Sequence, residues 1–441
     1  MVKQVYSTDN AEVHTYGVNP TEIPIDGLLK VARLNGTVSP VIGLSDLSPV
    51  SGGFPNGGTF VSEEYVAANA VGMDINCGFS LSELDIRSAR FHKNGKLNER
   101  KIRRLFEDVE KRIPIHTSRV RPKLEGISMQ EVLYHGVQAL PSEYISPEDI
   151  AQIEYQGSLD GDFDLDERTL KLASQQFPTI GGGNHFIDFV YVDKIFDQEA
   201  TRNLDIDPKK VYVLIHTGSK GVGFEVNKHY NELFKQHPEV QTDQALSFLQ
   251  KDHDLAIKYL RALNAAANFA FASRAVLRNQ LEIALDTESR LIRDSSHNLI
   301  DMNENTITHR KGTQIAFPEQ DERLNERDYK FGTPFIVPGS MTSEIYLCLP
   351  GQNISETHFT VNHGSGRKVP REIADKRHHD PKFKQATGNI VLNLEKTKLA
   401  REEAPYNYRD VGATMKDLET TGLAAKVARL QPFGVMIMGK K

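Results

Sequence analysis

The sequence holds only two cysteines in 441 residues, Cys77 and Cys348. That is too few for a disulfide framework, so a reducing compartment is expected. No apolar run approaches the roughly 18 residues that a membrane-spanning helix requires. The first residues, MVKQVYSTDNAEVHTYG, lack a basic stretch followed by an apolar one. A cytoplasmic protein with no membrane partner is the expectation. Low-complexity segments and repeats of fixed period are also missing, which argues against disordered and solenoid classes. The chain is 39% hydrophobic and 25% charged, as in ordinary globular proteins. A surplus of basic charge is lacking too: 53 Lys and Arg face 59 Asp and Glu, for a net charge of −6. This excludes a protein that coats nucleic acid indiscriminately.

That average conceals an uneven distribution. Between Arg87 and Lys123 stand thirteen basic residues against four acidic ones, a local charge of +9 that leaves −15 for the remainder. A solvated helix face and a surface for a polyanion both fit this pattern. Within it, Ile102, Leu105, Phe106, Val109 and Ile113 recur at helical spacing, predicting a helix over about 98–113 that Pro114 ends. Glycine is equally uneven, crowding into 52–58, 181–183, 218–223 and 364–366, while 239–311 has neither Gly nor Pro. The Ala- and Leu-rich part of that stretch predicts a long helical segment over 239–296. Short apolar runs at 186–192, 211–215, 346–349 and 359–361 predict strands beside the glycine clusters. The segment 195–210 reads as a surface insertion or helix–turn.

Five metal-ligand residue types sit at or beside the glycine-rich turns. They are Asp74 and Cys77 in GMDINCG, His185 in GGGNHF, His216 in HTGSKGVG and His297 in DSSHN. A thiolate, a carboxylate and three imidazoles suit one or two divalent ions, and a bridging thiolate could hold two close together. Each of these residues also has an ordinary structural use, as a buried thiol or a hydrogen-bonded histidine. Cys348 alternates like a strand residue and reads as core. The turns Pro338-Gly-Ser-Met341 and His363-Gly-Ser-Gly-Arg367 can present backbone N–H groups to phosphate. Arg367 suits bidentate phosphate pairing. His363 suits nucleophilic attack on phosphorus.

The order GMDINCG, GGGNHF, HTGSKGVG, SSHN, PGSM, HGSGR and EAPYNYRDV resembles the RNA-splicing ligase RtcB family. That family carries D-I-x-C-G, G-x-G-N-H-F-x-E, H-x-G-S-R-G-x-G, an H-N pair, P-G-S-M, H-G-A-G-R and E-A-P-x-x-Y-K-D in the same order. The likeness runs from about Leu44 to the C-terminus. It implies a ligase dependent on GTP and Mn²⁺, joining 2′,3′-cyclic phosphate or 3′-phosphate RNA ends to 5′-hydroxyl ends through a covalent histidine–GMP intermediate. By the same resemblance Asp74, Cys77, His185, His216 and His297 hold two Mn²⁺ ions, Cys77 touching both, and His363 is the nucleophile. The nucleotide site would comprise Asn184, His185, Phe186, Ile187, Asp188, His297, Asn298, Pro338, Gly339, Ser340, Met341, His363, Gly364, Ser365, Gly366, Arg367 and Tyr408. Sulfur, nitrogen and oxygen donors suit zinc as readily, so manganese comes from the resemblance and not from the ligand set. The implied partners are RNA ends, as tRNA halves or cleaved RNA, with an accessory activator protein a further one to look for.

Several positions depart from the family pattern. Asp188 replaces Glu, Ile345 a Ser, Ser365 an Ala, Asn362 a Cys, Lys220 an Arg, Met438 a Lys (with Lys440 nearby) and Ser48 a His. Most fall around the nucleoside, where each lost hydrogen bond costs about 1–3 kcal/mol. The departures therefore bear on the choice of base more than on the metals or His363. Two other functions fit the residues: a metal-dependent RNA-end phosphoesterase with impaired guanylylation, and an RNA-binding scaffold on a retired ligase fold. Ligand candidates from Asp74 to His297, with His363 beyond, must converge from distant segments. That predicts a single α+β domain over 1–441, interlaced around mixed and antiparallel sheets flanked by helices, with the long helix packed outside the sheets and delivering His297 just past its end.

Overall fold

The computed structural model describes residues 3–438 apart from 20–22, 49–52, 116–123, 163–166, 238–240, 244–245, 304, 370–373, 375–379 and 395–397. The last part of the basic segment, 116–123, and Lys440 therefore lie outside the described residues.

The fold is α+β, built on two main sheets. The larger has eight strands. Across it run Ser289–Ser296, Gly78–Arg87, Lys210–Thr217, Phe186–Ile195, Ala424–Ile437, Ile345–Pro350 and Phe335–Pro338, all antiparallel to their neighbours. Val391–Leu392 adds a short parallel partner to Ala424–Ile437. A six-stranded sheet runs through Gln4–Ser7, Glu12–Thr15, Thr37–Ser48, Asn56–Ser62, Ile307–Lys311 and Asn298–Met302. Only Glu12–Thr15 and Thr37–Ser48 pair in parallel there. The chain passes from one sheet to the other at His297, between Ser289–Ser296 and Asn298–Met302.

The strands expected beside the glycine clusters are present, as Phe186–Ile195, Lys210–Thr217, Ile345–Pro350 and Thr360–Asn362. Cys348 is fully buried in its strand. The segment after Ile195 holds the short helix Gln198–Asn203.

The basic helix spans Glu99–Glu110, with Asn98 accepting from the Lys101 N–H as its cap. Its apolar stripe, Ile102, Leu105, Phe106 and Val109, lies against Ile187, Phe189, Val213 and Ile215 of the large sheet. The helix ends short of Pro114, and the rest of the described basic segment is a strand end, a 3-10 turn and a two-residue hairpin.

The long helical segment is shorter than its Gly/Pro-free stretch. The helix is Asp254–Leu285, closed by Asp286 in the left-handed region. Residues 241–243 and 246–250 form strands before it, and Ser289–Ser296 is a strand of the large sheet. Lack of Gly and Pro permits a helix without requiring one, and strand pairing decided the ends. Nor does the helix pack outside: burial is unbroken from Ala265 to Leu281. Its small Ala side chains let neighbouring elements approach on every side, which explains an Ala-rich helix at the centre of the core. His297 is delivered by the following strand instead of by the helix.

Candidate metal centre and adjoining histidine

Strand register explains how residues so far apart in sequence meet. His216 pairs with Phe79 on one side and Phe186 on the other, and Ser296 pairs with Gly78. Cys77, His185, His216 and His297 therefore all stand at the same end of four adjacent strands. Asp74 reaches this end from the turn before Cys77, whose N–H donates to the Asp74 carbonyl at 3.2 Å. Gly218 makes room: a Cβ there would lie 2.7 Å from both Asp74 carboxylate oxygens.

The donors form two sets that share Cys77. One is Asp74, Cys77 and His185; the other is Cys77, His216 and His297. Cys77 Sγ lies 3.4 Å from His185 Nε2 and 3.2 Å from His216 Nε2. His216 Nε2 is 3.0 Å from His297 Nε2, and His185 Nε2 is 2.6 Å from Asp74 Oδ2. The Nδ1–H of His216 donates to the Asn184 carbonyl at 3.0 Å, which leaves its Nε2 lone pair aimed into the cluster.

Burial disfavours charge here. It pushes the Cys77 thiol well above its ordinary value, aided by the Asp74 carboxylate. It pushes His216 and His297 well below theirs, aided by the neighbouring imidazoles. Burial also pulls the Asp74 carboxyl upward, but the His185 imidazole and the Lys220 N–H outweigh it and hold it at about 2. Nitrogen and sulfur lone pairs facing one another at such distances have too few protons to bridge them. A divalent cation resolves this directly by replacing protons with coordinate bonds. The donor chemistry therefore fits the implied metals.

Arg274, from the long helix, holds three site segments together. Its guanidinium pairs with Asp294 at 2.7 Å and donates to the carbonyls of Asn76 at 2.8 Å and Thr217 at 3.0 Å. Those carbonyls immediately flank Cys77 and His216. Nothing in helical spacing marked this residue; only the fold reveals that a fully buried arginine serves the turns.

His363 follows the strand Thr360–Asn362, with its ring centroid 4.7 Å from that of His297. Its Nδ1 lies 2.6 Å from Asp46 Oδ2, and the same oxygen accepts from its backbone N–H at 3.2 Å. Asp46 thus fixes the tautomer that leaves Nε2 as the lone-pair nitrogen. Asp46 stands two residues before Ser48, one of the departures from the family pattern, and sequence reasoning missed its role. Arg409, in the EAPYNYRDV motif, donates to the carbonyls of Ser45 and Leu47 and so clamps the strand around Asp46. Gly312, at φ +67°, leaves space for the His363 ring, which a Cβ would approach to 3.1 Å. Beside it, burial holds the Lys311 ammonium down to about 8, with no carboxylate partner among the described residues. Lys311 too was missed, although a lysine flanking a glycine in a strand was visible.

The nucleotide-site expectations divide. Asn184, His185, Phe186, His297 and Asn298 adjoin the donor cluster; Phe186 lies 5.1 Å from His216 by ring centroids. Pro338 and the HGSGR turn are joined, the Ser365 N–H donating to the Pro338 carbonyl at 3.1 Å. Ser340 Oγ bonds Ser343 Oγ at 2.7 Å, and Met341 packs near Phe186, Val435 and Ile437. Gly339, Gly364 and Gly366 lie in the same two turns. Asp188 shares the face of Phe186, buried with Oδ1 unpartnered, and burial pushes its carboxyl well above the usual range. Ile187 does not join them: strand alternation turns it to the opposite face, under the basic helix. Arg367 is not a free fork for phosphate. It pairs with Glu403 at 3.1 Å and donates to Tyr408 Oη at 2.9 Å and the Glu402 carbonyl at 2.7 Å. Tyr408 also bonds Glu403, so both residues tie the EAPYNYRDV segment to the HGSGR turn. Ile345 lies in the apolar core with Ile336 and Leu347, Asn362 bonds Ser45, and Lys220 reaches away to Thr179 and Ser273.

Fold and site together define an α+β protein organised around two sets of metal-ligand side chains that share a thiol, with a carboxylate-oriented histidine at their edge. The family model described as tRNA-splicing ligase RtcB matches residues 27–438, and the chain belongs to that family. It is similar to proteins named tRNA-splicing ligase RtcB from three archaea. The Nanoarchaeum equitans protein is 33% identical over 83% of this chain and 81% of its own length. That of Pyrobaculum aerophilum is 28% identical over 87% and 85%. That of Thermococcus kodakarensis is 26% identical over 87% and 84%. No helix among the described residues is long and apolar enough to cross a membrane.

Proposed function

We propose that this chain is an RNA ligase of the tRNA-splicing type, joining a 2′,3′-cyclic phosphate or 3′-phosphate end to a 5′-hydroxyl end through guanylylated His363. The observation that carries this reading is the pair of donor sets sharing the Cys77 thiol, with His363 beside them and its Nδ1 held by Asp46. Family membership and the names of the relatives support it.

Asp74, Cys77 and His185 would hold one Mn²⁺, and Cys77, His216 and His297 the other. Bound there, the ions would neutralise phosphate oxygens and stabilise charge developing at phosphorus. His363 Nε2 attacks the α-phosphorus of GTP; the N–P bond forms as the bond to the bridging oxygen breaks and pyrophosphate leaves. Asp46 stabilises the imidazolium that results, as an orienting carboxylate does in hydrolytic triads. The RNA 3′-phosphate, freed from any cyclic form by water, takes the guanylyl group from His363. The 5′-hydroxyl then attacks that activated phosphorus, forming the new phosphodiester as GMP departs. Asp188, facing the same side as Phe186 with its carboxyl pushed upward by burial and its Oδ1 unpartnered, offers a hydrogen-bonding group for the nucleoside.

The test is incubation with Mn²⁺ and each α-labelled nucleoside triphosphate in turn. A covalent adduct with GTP is expected, absent from His363→Ala. No adduct with any nucleotide contradicts the ligase. Cyclic-phosphate opening with Mn²⁺ alone, unchanged by GTP, would identify a phosphoesterase instead.

A further inference from the structure

We propose that the exposed face formed by Arg90, Lys93, Lys96, Arg100, Lys101 and Arg104 is a docking track for the RNA backbone, leading to the strand ends that carry the donor cluster. All six side chains are exposed. Among the described residues none of the six pairs with a carboxylate, whereas Arg103 and Lys111 of the same segment pair with Glu99 and Asp108.

The placement of these cations works against the helix that carries them. Arg100 and Lys101 lie in its first turn, where the macrodipole disfavours positive charge. Arg100 and Arg104 are like charges four residues apart, which also destabilises an isolated helix. A solvated face with no ligand would be more stable with acids at both positions, as Glu99 supplies just before them. An external polyanion compensates both penalties at once. The chain as a whole is acidic, so this patch is a local exception and selects where an anion lands.

Geometry connects the patch to the site. The strand Gly78–Arg87 has Cys77 at one end and the start of the basic segment at the other, on the order of 30 Å away. The helix then lies on the sheet face, where a Cβ at Gly434 would meet Ile102 and Phe106 at 3.1 Å. Beyond it, Ile113 and Ile115 join one apolar cluster with Ile187 and Ile215, close neighbours in sequence of His185 and His216. A strand of RNA lying on this track would extend from the far edge of the sheet toward the reacting end. The inference rests on the RNA-joining reading only for the identity of the polyanion.

The test uses the full chain and the triple variant R100Q/K101Q/R104Q. Glutamine keeps helix propensity, and removing first-turn cations should leave the melting temperature unchanged or higher. Affinity for a 20-nucleotide RNA with a 5′-hydroxyl is measured by fluorescence anisotropy from 50 to 200 mM salt. Losing three phosphate contacts should reduce the slope of log K against log salt by about 2. Binding of a trinucleotide and formation of the nucleotide adduct should not change. An unaltered slope and affinity for the long RNA would overturn the proposal. So would RNA binding that survives while binding to anionic vesicles is lost. If the wild type forms no adduct yet loses RNA affinity in the variant, the track stands and the ligase reading falls.

Discussion

Two polar clusters are buried along the same stretch of chain and are satisfied in opposite ways. On one side lie Arg274 with Asp294, and Arg310 with Asp301 and Glu154, every guanidinium matched by carboxylates and carbonyls. On the other lie Cys77, His216 and His297, where sulfur and nitrogen donor atoms face one another at 3.0 to 3.2 Å and, among the described residues, no side chain of opposite charge is matched to them. Ser296 and His297 are adjacent residues, yet Ser296 belongs to the first cluster through Glu154 and His297 to the second. The difference separates groups that hold the fold from groups held by it. Charge-matched networks complete themselves within the chain, while an electron-rich cluster is complete only with something added.

Mutations can break that comparison. The largest effect is expected from Asp46→Asn, which keeps the shape but removes the charge that orients His363. Adduct formation should slow by about 10²- to 10⁴-fold while the melting temperature barely moves. Next, Arg310→Ala strands two buried carboxylates and should cost about 3–5 kcal/mol in denaturant unfolding. Arg274→Ala should cost a similar amount and also weaken metal binding, since it loosens the turns flanking Cys77 and His216. Cys77→Ala should behave differently. In metal-free protein its cost should stay near about 1–2 kcal/mol, as for a small buried side chain, but the rise in melting temperature on adding Mn²⁺ should vanish. A large loss in the metal-free variant would place Cys77 in the first kind of cluster.

The smallest effect concerns Lys311. Its ammonium loses a proton near pH 8 in the fold but near 10.5 when exposed, so its burial opposes folding at pH 7. Between those values the unfolded chain binds more protons, and stability contributed by this group rises with pH. Lys311→Met should therefore be more stable than wild type at pH 7, with the gap narrowing from pH 8 to 10.5.

The motifs at 74–77, 184–186, 216–223, 297–298 and 363–367 located the cluster because glycine-rich turns and metal-ligand residues are local signals. What brings those motifs together is register, which is not local: His216 opposite Phe79 and Phe186 is a fact about three strands. Asp46 and Arg274 were not legible for the same reason, since each acts across a long stretch of sequence that only the fold closes, Asp46 being 317 residues from His363 and Arg274 198 from Asn76. The basic helix was readable from its 3.6-residue stripe, because one face is solvent. The strand Ser289–Ser296 was not, because it is buried on both faces and its alternation is hidden. Arg367 reads from the sequence as suited to phosphate, and its pairing with Glu403 and Tyr408 was not legible because these partners arrive from a later motif.

The shared thiol is the centre of this account, and metal stoichiometry tests it most directly. Protein saturated with Mn²⁺ and freed of excess metal should retain two ions per chain, and Cys77→Ala should retain close to none, because both donor sets lose the same ligand. Two ions retained by the variant, or none by the wild type, would contradict the account.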